Sequence, residues 1–202
     1  YRFGTNAPQA DWKTAVDAGL DATWQAGPGG FGYEDGDDAT LITTMSNRFR
    51  TLYVRKEFTV VEPIAPARRL LLTNDYDDAF VAWIDGVEVD RAPNAPGAVG
   101  TEPPFNPANL ASNHEASAGT GGNPPRVTDL GSAAALLAPG THTLALMCIN
   151  GTINSSDLSL ITDLSLVGGS GATQDGAFFS LVNTNLTVLS GTNTFPGSTR
   201  VA

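Results

Sequence analysis

Apolar and polar residues alternate with a period of two over several short stretches, a pattern that predicts strands rather than helices. Residues 51–60 (TLYVRKEFTV), 70–73, 80–84, 87–90, 142–150 and 158–166 either alternate in this way or run apolar over a short β-prone stretch between turn-forming residues. The stretch at 142–150 is apolar on both faces, which predicts a central strand of a sandwich. Asp85-Gly86 separates two β-prone runs and predicts a tight hairpin, because a type I′ turn needs positive φ at both central residues. Residues 74–78 (NDYDD) predict a polar corner, and residues 92–125, rich in Pro, Asn, Ala and Gly, a long loop. One helical turn is expected between Trp12 and Trp24, and residues 127–137 lead to the Ala-Pro-Gly turn before the central strand. Beyond Val167 a Gly-Gly-Ser-Gly hinge precedes a further strand-forming run at 177–189. The expectation is an all-β chain: one two-sheet antiparallel sandwich over residues 1–167, then a strand-forming extension over 168–202.

Composition sharpens this picture. The 202 residues include 22 Gly and 13 Pro, which suits many short strands joined by turns. Asp and Glu outnumber Lys and Arg 21 to 11, and the basic residues Arg48, Arg50, Arg55, Lys56, Arg68 and Arg69 are spread along separate segments. Such a surface repels phosphate backbones, so nucleic acid is not an expected partner. No apolar run reaches the roughly 18 residues that span a bilayer. The lone Cys148 lies inside an apolar run and reads as a buried small hydrophobe. A first residue other than Met, with an acidic, Lys-poor composition, leads us to expect a secreted, extracellular protein whose leader has been removed.

The densest oxygen cluster is Glu34, Asp35, Asp37 and Asp38, with Thr40 close behind. Alternating carboxylates around a Gly supply the bent, oxygen-rich loop that Ca²⁺ takes, and equally make a solvated acidic turn. Asp75, Asp77 and Asp78 read as turn carboxylates that cap backbone N–H groups. His114 and His142 have no metal-pairing spacing, and no Gly-x-Ser-x-Gly elbow or phosphate loop occurs, so no enzyme is expected. Trp12, Trp24 and Tyr33 are the candidates for stacking on a sugar ring, while Trp83 reads as core.

Several of these pieces carry a resemblance. Trp24, Gly30-Phe-Gly-Tyr-Glu-Asp-Gly-Asp-Asp-Ala-Thr40, Tyr53-Val-Arg-Lys-Glu-Phe58, Tyr76-Asp-Asp-Ala-Phe-Val-Ala-Trp-Ile-Asp-Gly-Val-Glu-Val89 and Gly140-Thr-His-Thr-Leu-Ala-Leu146 are the matching segments. With Ser155-Ser-Asp-Leu158 they resemble the galactose-binding-like β-sandwich module of secreted bacterial multidomain proteins, and the jelly-roll sugar-binding domain that accompanies β-glycosidases. Ala79 and Asp85 stand where that family tends to carry Gly and Asn. The resemblance implies a non-catalytic jelly roll with a structural Ca²⁺, whose ligands Asp157 would complete. The extension is not part of the module. Its apolar positions Phe178, Phe179, Leu181, Leu186 and Val188 predict either a finished home sheet or strand addition to another copy. The preferred expectation is therefore a secreted structural protein that self-associates into a filament or array. The alternative is a calcium-stabilised module that binds polysaccharide or serves adhesion.

Overall fold

The computed structural model describes residues 1–119 and 121–168, and the backbone of two further strands at 177–180 and 187–188. Twelve strands form: β1 (Arg2–Phe3), β2 (Phe31–Tyr33), β3 (Thr40–Leu41), β4 (Thr51–Val60), β5 (Arg69–Tyr76), β6 (Ala79–Ile84), β7 (Val87–Arg91), β8 (Arg126–Ser132), β9 (Gly140–Ile149), β10 (Leu158–Val167), β11 (Ala177–Ser180) and β12 (Thr187–Val188). Among the described residues helix is confined to a 3₁₀ turn at Asp17–Gly19, where one helical turn was expected, and a single α turn at Ala133–Leu136. Among the described residues no helix is long and apolar enough to cross a membrane.

The strands form two sheets, ordered β1-β4-β9-β6-β7 and β3-β2-β10-β5-β8. Leaving aside the short β1 and β3, the chain from β2 to β10 changes sheet at every connection except the β6–β7 hairpin. All neighbours among these strands are antiparallel. That order is a jelly-roll sandwich, made of two interlocked Greek keys. The hairpin turn has φ of 50° at Asp85 and 80° at Gly86, the type I′ pattern. Asp at the first position is put to use: its carboxylate accepts the Thr143 N–H at 2.8 Å and lies 2.6 Å from His142 Nδ1.

Pairing registers place Leu52, Val54, Phe80, Ala82, Leu144, Leu146 and Cys148 on one face of their sheet. This face meets Leu70, Leu72, Tyr76, Leu160, Leu164 and Leu166 of the opposing sheet, with the Tyr76 and Phe80 rings 4.7 Å apart edge-on. The opposite face of β4, β9 and β6 carries Tyr53, Arg55, Met147, Val81 and Trp83, and it too is buried. Residues 12–17 cover it. Trp12 packs edge-on against Tyr53 and Trp83, and Arg55 donates to the Trp12 carbonyl at 3.0 Å and the Ala15 carbonyl at 2.5 Å. This cover is why β9 is apolar on both faces.

Besides the short β1 and β3 and the α turn, three elements differ from expectation. β5 runs on through Asn74 and Asp75 to Tyr76, because the inward Asn74 side chain accepts a hydrogen bond from Thr162 Oγ1 at 2.7 Å. A polar pair inside the sandwich reads locally as a corner. β8, not expected as a strand, is an edge strand whose alternation is interrupted by a bulge where it pairs with Leu70 and Leu71. β2 forms within the Gly-rich passage. Gly32 is required there, because any Cβ would collide with the Leu158 carbonyl and the Asp38 carboxylate.

β11 pairs with β10, and β12 with β4, within the same chain. Of the extension's candidate residues, Leu181 and Leu186 lie outside the described residues. Phe178, Phe179 and Val188 are placed by backbone pairing alone.

Candidate functional site

Four connections meet at one end of the sandwich: the β2–β3 loop, the β5–β6 corner, the β9–β10 loop and the long β7–β8 loop. The corner Asp77-Asp78 bridges the two sheets. The Asp77 N–H donates to the Ser159 carbonyl of β10 at 2.9 Å, and the Asp78 N–H reaches toward the Ile149 carbonyl of β9 at 3.4 Å. Across the corner the β9–β10 loop is held against β2. Tyr33 donates its hydroxyl to the Ser155 carbonyl at 3.1 Å, and Asn150 Nδ2 donates to the Tyr33 hydroxyl at 3.1 Å and the Asp157 carbonyl at 3.0 Å. These bonds fix the backbone that carries Asp157.

The result is a triangle of carboxylates. Asp35, Asp77 and Asp157 each present an oxygen within 4.8 Å of the other two. Asp35 reaches it from a turn with positive φ at Glu34 and Gly36. Asp77 is 2% exposed, and its Oδ2 has no hydrogen-bond partner among the described residues. Asp38 borders the group: Ser159 Oγ lies 3.5 Å from its Oδ1, and its Oδ2 is also buried without a partner. Among the described residues none of these carboxylates takes part in an ion pair. Arg50, the nearby guanidinium, is spent on the carbonyls of Pro107, Asn150 and Gly151.

Unneutralised acids crowded together hold their protons. Burial first, then the charges of Asp157 and Asp37, raise Asp35 to about 6. Burial, then Asp37 and Asp35, raise Asp38 to about 7, and burial, then Asp78 and Asp157, raise Asp77 to about 10. A hard divalent cation removes this repulsion. The donors are all carboxylate oxygens on three separate segments, and a spread within 4.8 Å fits inside the about 5 Å that spans a Ca²⁺ coordination sphere. The residues therefore fit the structural calcium that the resemblance implies.

Asp35 and Asp157 of the expected ligands thus come together, with Asp38 beside them, while Glu34 and Asp37 are exposed and stand outside the triangle. Asp77 was missed because the corner was read as a self-capping turn. Asp75 and Asp78 do cap backbone N–H groups, those of Ser117 and of His114 and Gly151, but they leave Asp77 free for the pocket. His114, which has no metal-pairing spacing to His142, stacks on Tyr76 with ring centroids 4.0 Å apart.

The sugar-stacking candidates lie elsewhere. Trp12 is 1% and Tyr33 3% exposed, so neither ring has a face open to a sugar, and Trp24 is half-buried, stacked on Trp12 at 5.9 Å. Their apolar area is taken by the core and its cover.

No family model matches the chain, and no curated protein matches it. Solved structures similar to part of it include two alpha-L-rhamnosidases. An alpha-L-rhamnosidase from Dictyoglumus thermophilum is 11% identical with a TM-score of 0.38, over 65% of this chain and 12% of that one. An alpha-L-rhamnosidase from Aspergillus terreus is 15% identical with a TM-score of 0.35, over 65% of this chain and 14% of that one. The chain spans about one eighth of the length of these enzymes, and at such scores neither likeness bears on what it binds.

Proposed function

We propose that this chain is a non-catalytic β-sandwich module that binds one Ca²⁺ at the Asp35, Asp77 and Asp157 triangle. The cation fixes the loop end of the sandwich for a structural or adhesive role outside the cell. The observation that carries this reading is Asp77 Oδ2, buried and without a hydrogen-bond partner among the described residues, on a side chain that presents an oxygen within 4.8 Å of two other acids. A buried carboxylate left this way is either protonated or bound to a cation. The jelly-roll order supports the galactose-binding-like reading of the fold, but a sugar ligand would have to bind away from Trp12 and Tyr33. We place the function at the cation end, where side chains are described, rather than in the extension, whose β11 and β12 are placed by backbone pairing alone.

Calorimetric titration of EDTA-treated protein with CaCl₂ tests this directly. We expect one site, with affinity near the ~0.1–1 mM of extracellular modules or tighter. Calcium at 100 times the dissociation constant should add about 2.7 kcal/mol of stability, or roughly 5–10 °C in Tm. Absence of both heat and thermal shift at millimolar calcium would overturn the proposal.

The same groups set a pH dependence. In metal-free protein the folded state keeps protons on Asp35 and Asp38 up to about 6 and about 7, whereas the unfolded chain releases them near the ordinary aspartate value of 3.8. Stability from these groups is therefore complete below that value and is lost as pH rises through 6 and 7. Metal-free protein should melt at a lower temperature at pH 8 than at pH 5. Saturating calcium should remove most of that difference, because the cation takes the place of the protons.

A further inference from the structure

Each sheet leaves part of one edge to the extension. β4 takes β9 along its whole length on one side, so β1 and β12 share the other, β1 at Leu52 and Tyr53 and β12 at Thr59 and Val60. β10 takes β5 over residues 160–167, so β2 and β11 share its other side, β2 at 158–160 and β11 at 163–166. β1 and β2 lie on the same flank of the sandwich, where the Tyr1 and Phe31 rings are 5.5 Å apart. They occupy the end that carries the aspartates. β11 and β12 take the far end, since Thr51 pairs with Ile149 and Val60 with Gly140. The two strands of the extension therefore complete one flank, one strand on each sheet.

The opposite flank is protected by its own strands. The register skips Val89 in β7 and Leu130 in β8, and such bulges spoil an edge for further pairing. Arg126 and Thr128 of β8 also donate to the Asp90 carboxylate of β7 at 2.9 and 2.6 Å, which locks the two edge strands to each other. Among the described residues β4 and β10 show no such device on their flank. They pair with β9 and β5 without a register shift, and at 59–60 and 163–166 only the backbone of the extension meets their outer side. A regular edge of this kind is a template for an added strand.

We propose that this half-edge of β10 and β4 is a strand-addition site for the extension of a second copy of this chain, held closed in the single chain by its own β11 and β12. A strand from the neighbour makes the same backbone bonds as the home strand, so no new interface has to form. The home extension, tethered to its sandwich, competes at an effective concentration in the millimolar range. Exchange between copies therefore sets in where chains are crowded to that level or where the home strand is displaced.

Phe178→Pro combined with Phe179→Pro in the full chain tests this, with every measurement made in EDTA so that the cation plays no part. One of two successive N–H groups in an antiparallel strand points to its partner, so prolines at both positions abolish β11 pairing whatever its phase. A fluorescently labelled peptide of residues 172–190 should bind this variant, and should bind the wild type about tenfold more weakly or worse, because there the home strand occupies the site. If the variant does not fold alone, the peptide should restore its melting transition. Wild type refolded at about 1 mM should form oligomers, seen by small-angle X-ray scattering, that are missing at roughly a hundredfold lower concentration and missing from the variant at both. A folded variant that ignores the peptide, an unfolded one that the peptide does not restore, or equal affinity in the two chains would overturn the site. Oligomers that persist in the variant, or none in the wild type at about 1 mM, would overturn exchange between copies.

Discussion

Trp12→Ala should lower the unfolding free energy by about 3–5 kcal/mol, the range for deleting a large aromatic from a packed interior. The ring packs against Tyr53 at 5.0 Å and Trp83 at 5.6 Å, stacks with Trp24, and donates its indole N–H to Glu102 at 3.1 Å. Its loss also loosens the cover of the outer sheet face, which then rests on the backbone carbonyls of residues 12 and 15 that accept from Arg55 and that the variant keeps. Tyr53, Met147 and Trp83 would then meet solvent, so the variant should bind a hydrophobic dye in addition to unfolding at lower denaturant. Trp24→Ala, at a half-buried ring, should cost about 1–2 kcal/mol. Denaturant titrations of the two variants separate a structural tryptophan from a ligand platform. A sugar-stacking Trp12 would be removed with little change in stability, and a loss under 1 kcal/mol would refute the covering role.

That tryptophan marks where local sequence reading reaches its limit. Strand alternation at 51–60 and 158–166, and the Asp85-Gly86 turn, were legible because each depends on neighbours two residues away. The two-sided apolar character of β9 was legible too, and correctly placed that strand between two others. What covers its outer face was not, since residues 12–17 are brought there by contacts with Arg55, about forty residues on. A Trp destined for a covered face and one destined for a sugar look alike in sequence, because both are aromatic residues in a polar, loop-rich segment.

The acidic site divides in the same way. Asp35 and Asp38 stood out because acids cluster around Gly36. Asp157 entered only through the resemblance. Asp77 was hidden because all three acids of the corner read alike as caps for backbone N–H groups. β5 ends at Tyr76, and beyond it the backbone crosses from one sheet to the other. There Asp78 turns to the Gly151 and His114 N–H groups while Asp77 turns to Asp35 and Asp157. Two adjacent aspartates thus take different work, one carboxylate bonded to backbone N–H groups and one with an oxygen that has no partner among the described residues, and only the assembled corner distinguishes them.

Asp77→Asn makes that distinction measurable, with opposite signs in the two states. Without metal, burial and the Asp78 and Asp157 charges hold the Asp77 carboxyl up at about 10, so at neutral pH the folded protein carries a proton there that the unfolded chain has released. Wild-type stability is therefore lost progressively as pH rises from the ordinary aspartate range toward that value. An amide has no such proton to keep, matches the carboxyl in shape, and can donate to the Asp35 or Asp157 oxygens. Metal-free D77N should be more stable than metal-free wild type at pH 7, by on the order of 2 kcal/mol, with the gap widening toward pH 8 and closing toward pH 4. With calcium the order reverses. The wild type should gain its binding free energy, whereas D77N, lacking the buried anionic ligand, should show no calorimetric heat and no calcium-dependent rise in Tm. A variant that melts below wild type in EDTA and still responds to calcium would mean that Asp77 supports the corner without touching the cation. The triangle would then lose the residue on which it rests.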